Sequence, residues 1–168
     1  MRTYPIFFSM IFASSVFCLV PGCRSGDTPP PEGTTPTEVR APVRGLMDSI
    51  AHDVTSGGPT AWLRYFDSSG HFSMVNQGLL VFPNLDSAAA GVHQFAAGIR
   101  QITLTWGDIR VDSLTTQFAV VGAAFREDMT DMKGNPSRSE GYFTAVAEGT
   151  PSGWRLRNAH WSMADNRK

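Results

Sequence analysis

Beyond residue 23 the chain contains no cysteine. The region that folds can therefore have neither a disulfide nor a thiol nucleophile, and its stability must come from an apolar core. An excess of charge of either sign is also missing. Lys and Arg number 14 against 15 Asp and Glu, a formal charge of −1 that gives no footing for nucleic acid. The four histidines, His52, His71, His93 and His160, are scattered, with no His-x-His or His-x-x-x-His pair, so a metal site of ordinary spacing is not expected. Asp48 and His52 are one helical turn apart and read as an exposed i, i+4 pair. No serine sits in a Gly-x-Ser-x-Gly elbow. Neither a metal nor a cofactor is expected.

What is present begins with a positive Arg2 followed by an uncharged, mostly apolar run from Pro5 to Val20. The run is shorter than the ~20 apolar residues of a spanning helix, and the pattern predicts a secretory signal over residues 1–22. Its end, Leu19-Val20-Pro21-Gly22-Cys23, resembles a bacterial lipobox, although Pro21 departs from the small residue usual there. The resemblance implies cleavage before Cys23 and diacylation of its thiol. Two acyl chains anchor stably where one holds only marginally, so the membrane is an expected partner through lipid on Cys23. Arg24 stands where an Asp is associated with inner-membrane retention, which points to the periplasmic side of the outer membrane in a bacterial envelope. An ordinary signal peptide, releasing a soluble secreted or periplasmic protein, is the alternative. Residues 24–37 carry four prolines and almost no apolar side chains, so 23–37 is expected to be a lipidated cysteine and a disordered tether, and 38–168 the folded domain.

Within that domain Val39, Val43, Leu46, Ile50 and Val54 recur at helical spacing up to Gly57-Gly58. Pro42 is tolerable in a first turn, which places the start of this helix near 38–41. Pro59 opens a short second helix over 60–66. Two short strands follow, 71–75 and 79–82, and then a third helix with Leu85, Ala89, Val92, Ala96 and Ile99 on one face and Asp86 as its cap. Ile102, Leu104 and Trp106 alternate in one phase and Ile109 and Val111 in the other, the mark of a β-bulge at Gly107. Asp108, Arg110 and Asp112, spaced like the Asp-Arg-Asp set of epoxide hydrolases, fall on the solvated side of that bulge. Residues 118–125 are apolar in both phases and read as a central strand. A polar loop is expected over 127–139, and strands over 141–148 and 153–163 close the chain.

The closing hairpin carries the most specific pattern. Gly141-Tyr-Phe-Thr144, a short Gly/Pro/Ser turn, Gly153-Trp-Arg-Leu156 and His160-x-Ser162 resemble the end of SnoaL-like domains of the nuclear transport factor 2-like (ketosteroid isomerase-like) superfamily. The resemblance implies an α+β fold: a cone-shaped, strongly curved antiparallel sheet wrapped around three helices, a cystatin-like roll. It also implies a ligand pocket in the mouth of the cone. In strand phase Trp154, Leu156 and His160 share one side and Arg155 and Arg157 the other, which directs His160 inward as the candidate catalytic or ligand-binding group, with a backbone-bonded core histidine as the plainer alternative. Tyr65, Trp106, Tyr142 and Trp154 are candidate pocket walls, and His71 a candidate at the first strand. Each of these residue types is more often core than contact.

A ketosteroid isomerase needs a carboxylate base in its apolar pocket, and no acid falls clearly on an inward strand face. The expected function is therefore an exported, membrane-anchored ligand-binding or interaction module with no defined reaction, with a hydrophobic small molecule as a candidate partner. The rival is a small isomerase, dehydratase or hydrolase using His160 with Tyr65 or Tyr142 on a hydrophobic small molecule in the cone pocket, which a buried Asp or Glu at the cavity would favour. A homodimer through the outer sheet face, where Trp161 and Met163 are expected among the arginines, is a further expected partnership.

Overall fold

The computed structural model describes residues 36–164. The signal, Cys23 and most of the tether lie outside them, but residues 36 and 37, assigned above to the tether, already belong to the first helix, α1 (Pro36–Gly57). Pro42 is thus in the second turn of α1, not the first, and that turn forgoes one N–H to carbonyl bond. The helix tolerates the loss because Val39, Val43, Met47, Ile50 and Val54 form an almost fully buried stripe, and tertiary packing outweighs local propensity. A 3₁₀ helix, Pro59–Arg64, follows. The third, α2 (Leu85–Gly98), is capped by Asn84 rather than Asp86: Asn84 Oδ1 accepts from the Ser87 N–H and the Ser87 hydroxyl answers to the Asn84 backbone.

Among the described residues seven strands form one curved, unclosed sheet: β1 (Ser73–Asn76), β2 (Leu79–Phe82), β3 (Ile99–Trp106), β4 (Arg110–Ser113), β5 (Phe118–Asp131), β6 (Pro136–Thr150) and β7 (Gly153–Met163). They run in the order β2-β1-β7-β6-β5-β3, with β4 also on β5. The sheet is mixed, not antiparallel as expected, because β1 lies parallel to β7. Local hydrophobic alternation is the same for either direction, so strand direction was beyond its reach.

Two register changes set which side chains face the helices. Trp106 opposes Phe125 but Arg110 opposes Gly122, an extra residue at the expected bulge, and Ile109 and Val111 are buried while Asp108, Arg110 and Asp112 are exposed. The second lies in β7, where Leu156 opposes Ala147 but Asn158 opposes Val146, leaving Arg157 as the additional residue. The Asn158 side chain fills the gap in the ladder by accepting the Val146 N–H at 3.1 Å. On one side of this bulge β7 is held by residues 65–67, through Leu156 N–H to Tyr65 O and Asp67 N–H to Leu156 O, and on the other by β1.

The core is one cluster drawn from Val39 through Trp161. At its centre Trp62, Trp106, Phe125, Phe143 and Trp161 meet edge-to-face or tilted, except that Trp106 and Trp161 stack, with ring centroids 4.4 Å apart for Phe125–Trp161 and 4.9 Å for Phe143–Trp161. Glu32–Lys168 is a compact unit, so a chain starting at Glu32 carries this core entire.

Candidate functional site

Between the sheet's inner face, α2 and the β1–β2 hairpin lies a cavity of about 320 Å³, at the lower end of the ~300–1,000 Å³ range of small-molecule sites. It is lined by the buried Trp62, Phe66, Phe143 and Trp161, by Met74, Met129 and Met163, and by Phe82 and the exposed Phe95. Three polar side chains interrupt this apolar wall: Glu127, Asn76 and Ser139.

Glu127 is there because β5 is longer than expected. The segment taken for a loop over 127–139 is strand on both sides of a tight turn at 131–135, and Glu127 pairs with Ser139 across β5 and β6. The inward phase Ala119, Val121, Ala123, Phe125 therefore continues to Glu127 and Met129. Burial in apolar surroundings pushes the Glu127 carboxyl up to about 7. None of the ion pairs among the described residues includes it. Asn76 ends β1 on the same cavity, and its Oδ1 is buried with no hydrogen-bond partner. A carboxyl pushed up toward neutrality, lining a mainly apolar cavity that a second polar group also lines, can hold or release a proton to a bound molecule.

The residues singled out from sequence lie elsewhere. His160 is exposed on the outer sheet face, in a shallow groove with Ser73, Val75, Thr144 and Asn158. The inward reading fails because the β7 bulge exchanges the two faces after Arg157: Leu156 is inward, but so are Ala159 and Trp161, not His160. Trp161 is accordingly core and Met163 lines the cavity, so neither belongs to the outer face. Trp154 packs half-buried against the core near Gly149, away from the cavity. Trp106 is bound into the aromatic cluster, with Nε1 donating to the Met47 carbonyl at 2.8 Å. Tyr65 donates its hydroxyl to Asp53, which also pairs with Arg64, and burial with that hydrogen bond raises the phenol to about 12. Tyr142 is 43% exposed on the outer face, and His71 is exposed ahead of β1.

The sequence carries a local signal for both faces. Phe125, Glu127 and Met129 keep one alternation, and Asn158, His160 and Ser162 form a polar set opposite Ala159, Trp161 and Met163. Among the described residues no group of three His, Cys, Asp or Glu could hold a metal ion. None of the described helices is long and apolar enough to cross a membrane.

Comparison with solved structures gives the architecture its name. A nuclear transport factor 2-like superfamily protein from Salmonella enterica superposes with a TM-score of 0.68 at 14% identity, over 80% of this chain and 96% of that one. A nuclear transport factor 2-like protein of unknown function from Shewanella oneidensis gives 0.56 at 16% identity, over 74% and 98%. The chain has the nuclear transport factor 2-like fold. A hexachlorocyclohexane dehydrochlorinase, type 2, has the same fold with a TM-score of 0.62 at 8% identity, over 76% of this chain and 86% of that one. No family model and no curated protein matches the sequence itself. At these identities the likeness establishes the nuclear transport factor 2-like cone, and the chemistry must be argued from the residues lining it.

Proposed function

We propose that the cone cavity binds a small, mostly apolar molecule carrying an oxygen function and that Glu127 exchanges a proton with it, in an isomerisation or an elimination. The observation that carries this reading is a single carboxylate, in none of the ion pairs among the described residues, in a cavity walled mainly by aromatic and methionine side chains. With its pKa near 7, Glu127 is divided between acid and base at neutral pH, the condition under which one group serves both directions of a proton transfer. Asn76 offers an amide to orient the oxygen, and the apolar wall keeps water from competing for the proton. The dehydrochlorinase that shares the fold is named for an elimination, which agrees with this class of chemistry. A half-buried carboxylate at the cavity moves the balance from the binding module favoured by sequence to the catalytic rival.

The domain belongs, on this reading, to a SnoaL-like protein exported by its N-terminal signal and anchored through lipid on Cys23. Cys23→Ser should abolish incorporation of a fatty-acid probe in a bacterial host, and a wild type that takes up no label rejects the anchor.

The proton-transfer reading is tested by incubating the protein with a panel of mono- and bicyclic enones and allylic alcohols in D₂O. Binding is followed by thermal shift and deuterium incorporation by NMR. Exchange that Glu127→Gln abolishes while binding persists is the expected result. Binding with no exchange in the wild type would return the cavity to a carrier role, and no binding by any probe would reject the site.

A further inference from the structure

Large apolar side chains that remain exposed are not spread over this domain. Leu79 at 70%, Leu80 at 60%, Val81, Phe95 at 41% and Met132 at 62% exposure come from three separate elements: the β1–β2 hairpin, the end of α2 and the β5–β6 turn. Strand register puts all three at one end. β1 runs parallel to β7 toward Met163, so the Gln77-Gly78 turn points to the end of the sheet where β5 and β6 carry Glu127 and Ser139. The Met132 N–H bonds the Gly98 carbonyl, which joins the β5–β6 turn to the end of α2. The cavity reaches this end, since Phe82 of the hairpin and the exposed Phe95 of α2 line it. Only Leu114 and Tyr142 of the exposed large apolar residues described lie elsewhere.

We infer that this apolar rim docks on a lipid bilayer and that the cavity exchanges its ligand with the membrane through it. Two features identify the partner as lipid. Arg100 and Lys133 are exposed beside the rim, Arg100 reaching to Gly134 of the turn, where they meet anionic headgroups while the leucines and Met132 enter the acyl boundary. The acid nearest them, Asp131, is turned back on its own loop, accepting from the N–H groups of Lys133 and Asn135. The second feature is the N-terminal sequence, whose apolar run ending at Gly22-Cys23 would, on the lipid-anchor reading above, hold the domain at a membrane. The rim also lacks what an exposed sheet edge normally uses to refuse other strands. Edge strand β2, Leu79-Leu-Val-Phe82, has no charge. A bilayer covers such a patch without requiring a complementary shape.

The inference rests on the cavity reading only for the route of the ligand, so docking is measured without one. The chain starting at Glu32 is sedimented with vesicles of phosphatidylcholine alone and of phosphatidylcholine mixed with phosphatidylglycerol. Wild type should partition onto the mixed vesicles, and Leu79→Ser/Leu80→Ser should weaken that at least tenfold, since two leucines no longer leave water. Arg100→Gln/Lys133→Gln should cost roughly tenfold on mixed vesicles and little on neutral ones. All four positions are exposed, so circular dichroism should be unchanged. Wild type remaining in the supernatant, or leucine variant and wild type partitioning alike, overturns the inference. So does a dimer in sedimentation velocity that the leucine variant dissolves while vesicles bind neither, which would assign the rim to a second copy. Proton exchange in the cavity could fail with docking intact, or the reverse, so the two readings fall separately.

Discussion

Replacing Glu127 by Gln keeps the shape of the side chain and removes its titration, which makes it the sharpest test of the cavity's polarity. The folded carboxyl titrates near 7 against an ordinary value of 4.5. Below 4.5 both folded and unfolded states hold the proton, and the group contributes no pH dependence. Between 4.5 and 7 the unfolded state has released its proton while the folded state retains it. The slope of stability with pH is set by protons bound unfolded minus folded, here negative, so stability falls as pH rises through this window and levels off above 7. A shift of this size corresponds to about 3 kcal/mol at 1.36 kcal/mol per pH unit, or roughly 10 °C in Tm for a domain of this length. Urea or thermal unfolding of wild type and Glu127→Gln should therefore converge near pH 4.5, diverge progressively to pH 7, and leave the Gln variant more stable by up to that amount at pH 8. Taking the difference between the two proteins cancels every other titrating group, including Asp67, whose carboxyl is held below its ordinary range by Ser69. Curves that stay parallel from pH 4.5 to 8, or a Gln variant that loses stability relative to wild type as pH rises, would refute the claim that burial governs this carboxyl.

The β7 bulge makes two neighbouring residues unequal: Trp161→Ala should cost about 3–5 kcal/mol from the aromatic cluster, and His160→Ala should stay within about 0.5 kcal/mol, both read from urea midpoints. Gly141→Ala should abolish folding or expression, because a Cβ there would sit 2.0 Å from the Ser162 carbonyl oxygen and 2.9 Å from Met163 Cα; a soluble variant with wild-type Tm would contradict the close β6–β7 approach. Asn84→Ala should lower stability by about 1 kcal/mol through loss of the α2 cap, and Asp86→Ala should not, a comparison that separates the two capping assignments by thermal melting.

Alternation and helical spacing made much of this fold legible. Val39, Val43, Leu46, Ile50 and Val54 were read as one stripe and are all buried, and the phase change around Gly107 appears as a register shift between β3 and β4. The closing hairpin, read from Gly141-Tyr-Phe-Thr144 and Gly153-Trp-Arg-Leu156, is β6 and β7 of a nuclear transport factor 2-like cone. Such readings succeed because the period of a hydrophobic pattern is a local property of the backbone. The site was lost at two places where it is not local. Glu127 looked like the start of a polar loop because Glu127, Asp128, Thr130 and Asp131 share a stretch with few apolar residues, yet cross-strand pairing with β6 carries β5 to Asp131 and so sends Glu127 inward. His160 looked inward because nothing in Arg155-Leu-Arg-Asn158 announces an extra residue. The bulge arises where β7 passes from residues 65–67 to β1, partners that lie some ninety positions earlier in the chain. The sequence by itself determined the elements, the core stripe and the closing hairpin. Tertiary structure alone decided the faces of β5 and β7, because a strand's inward face is set by its neighbours' register, and one added residue exchanges every side chain beyond it.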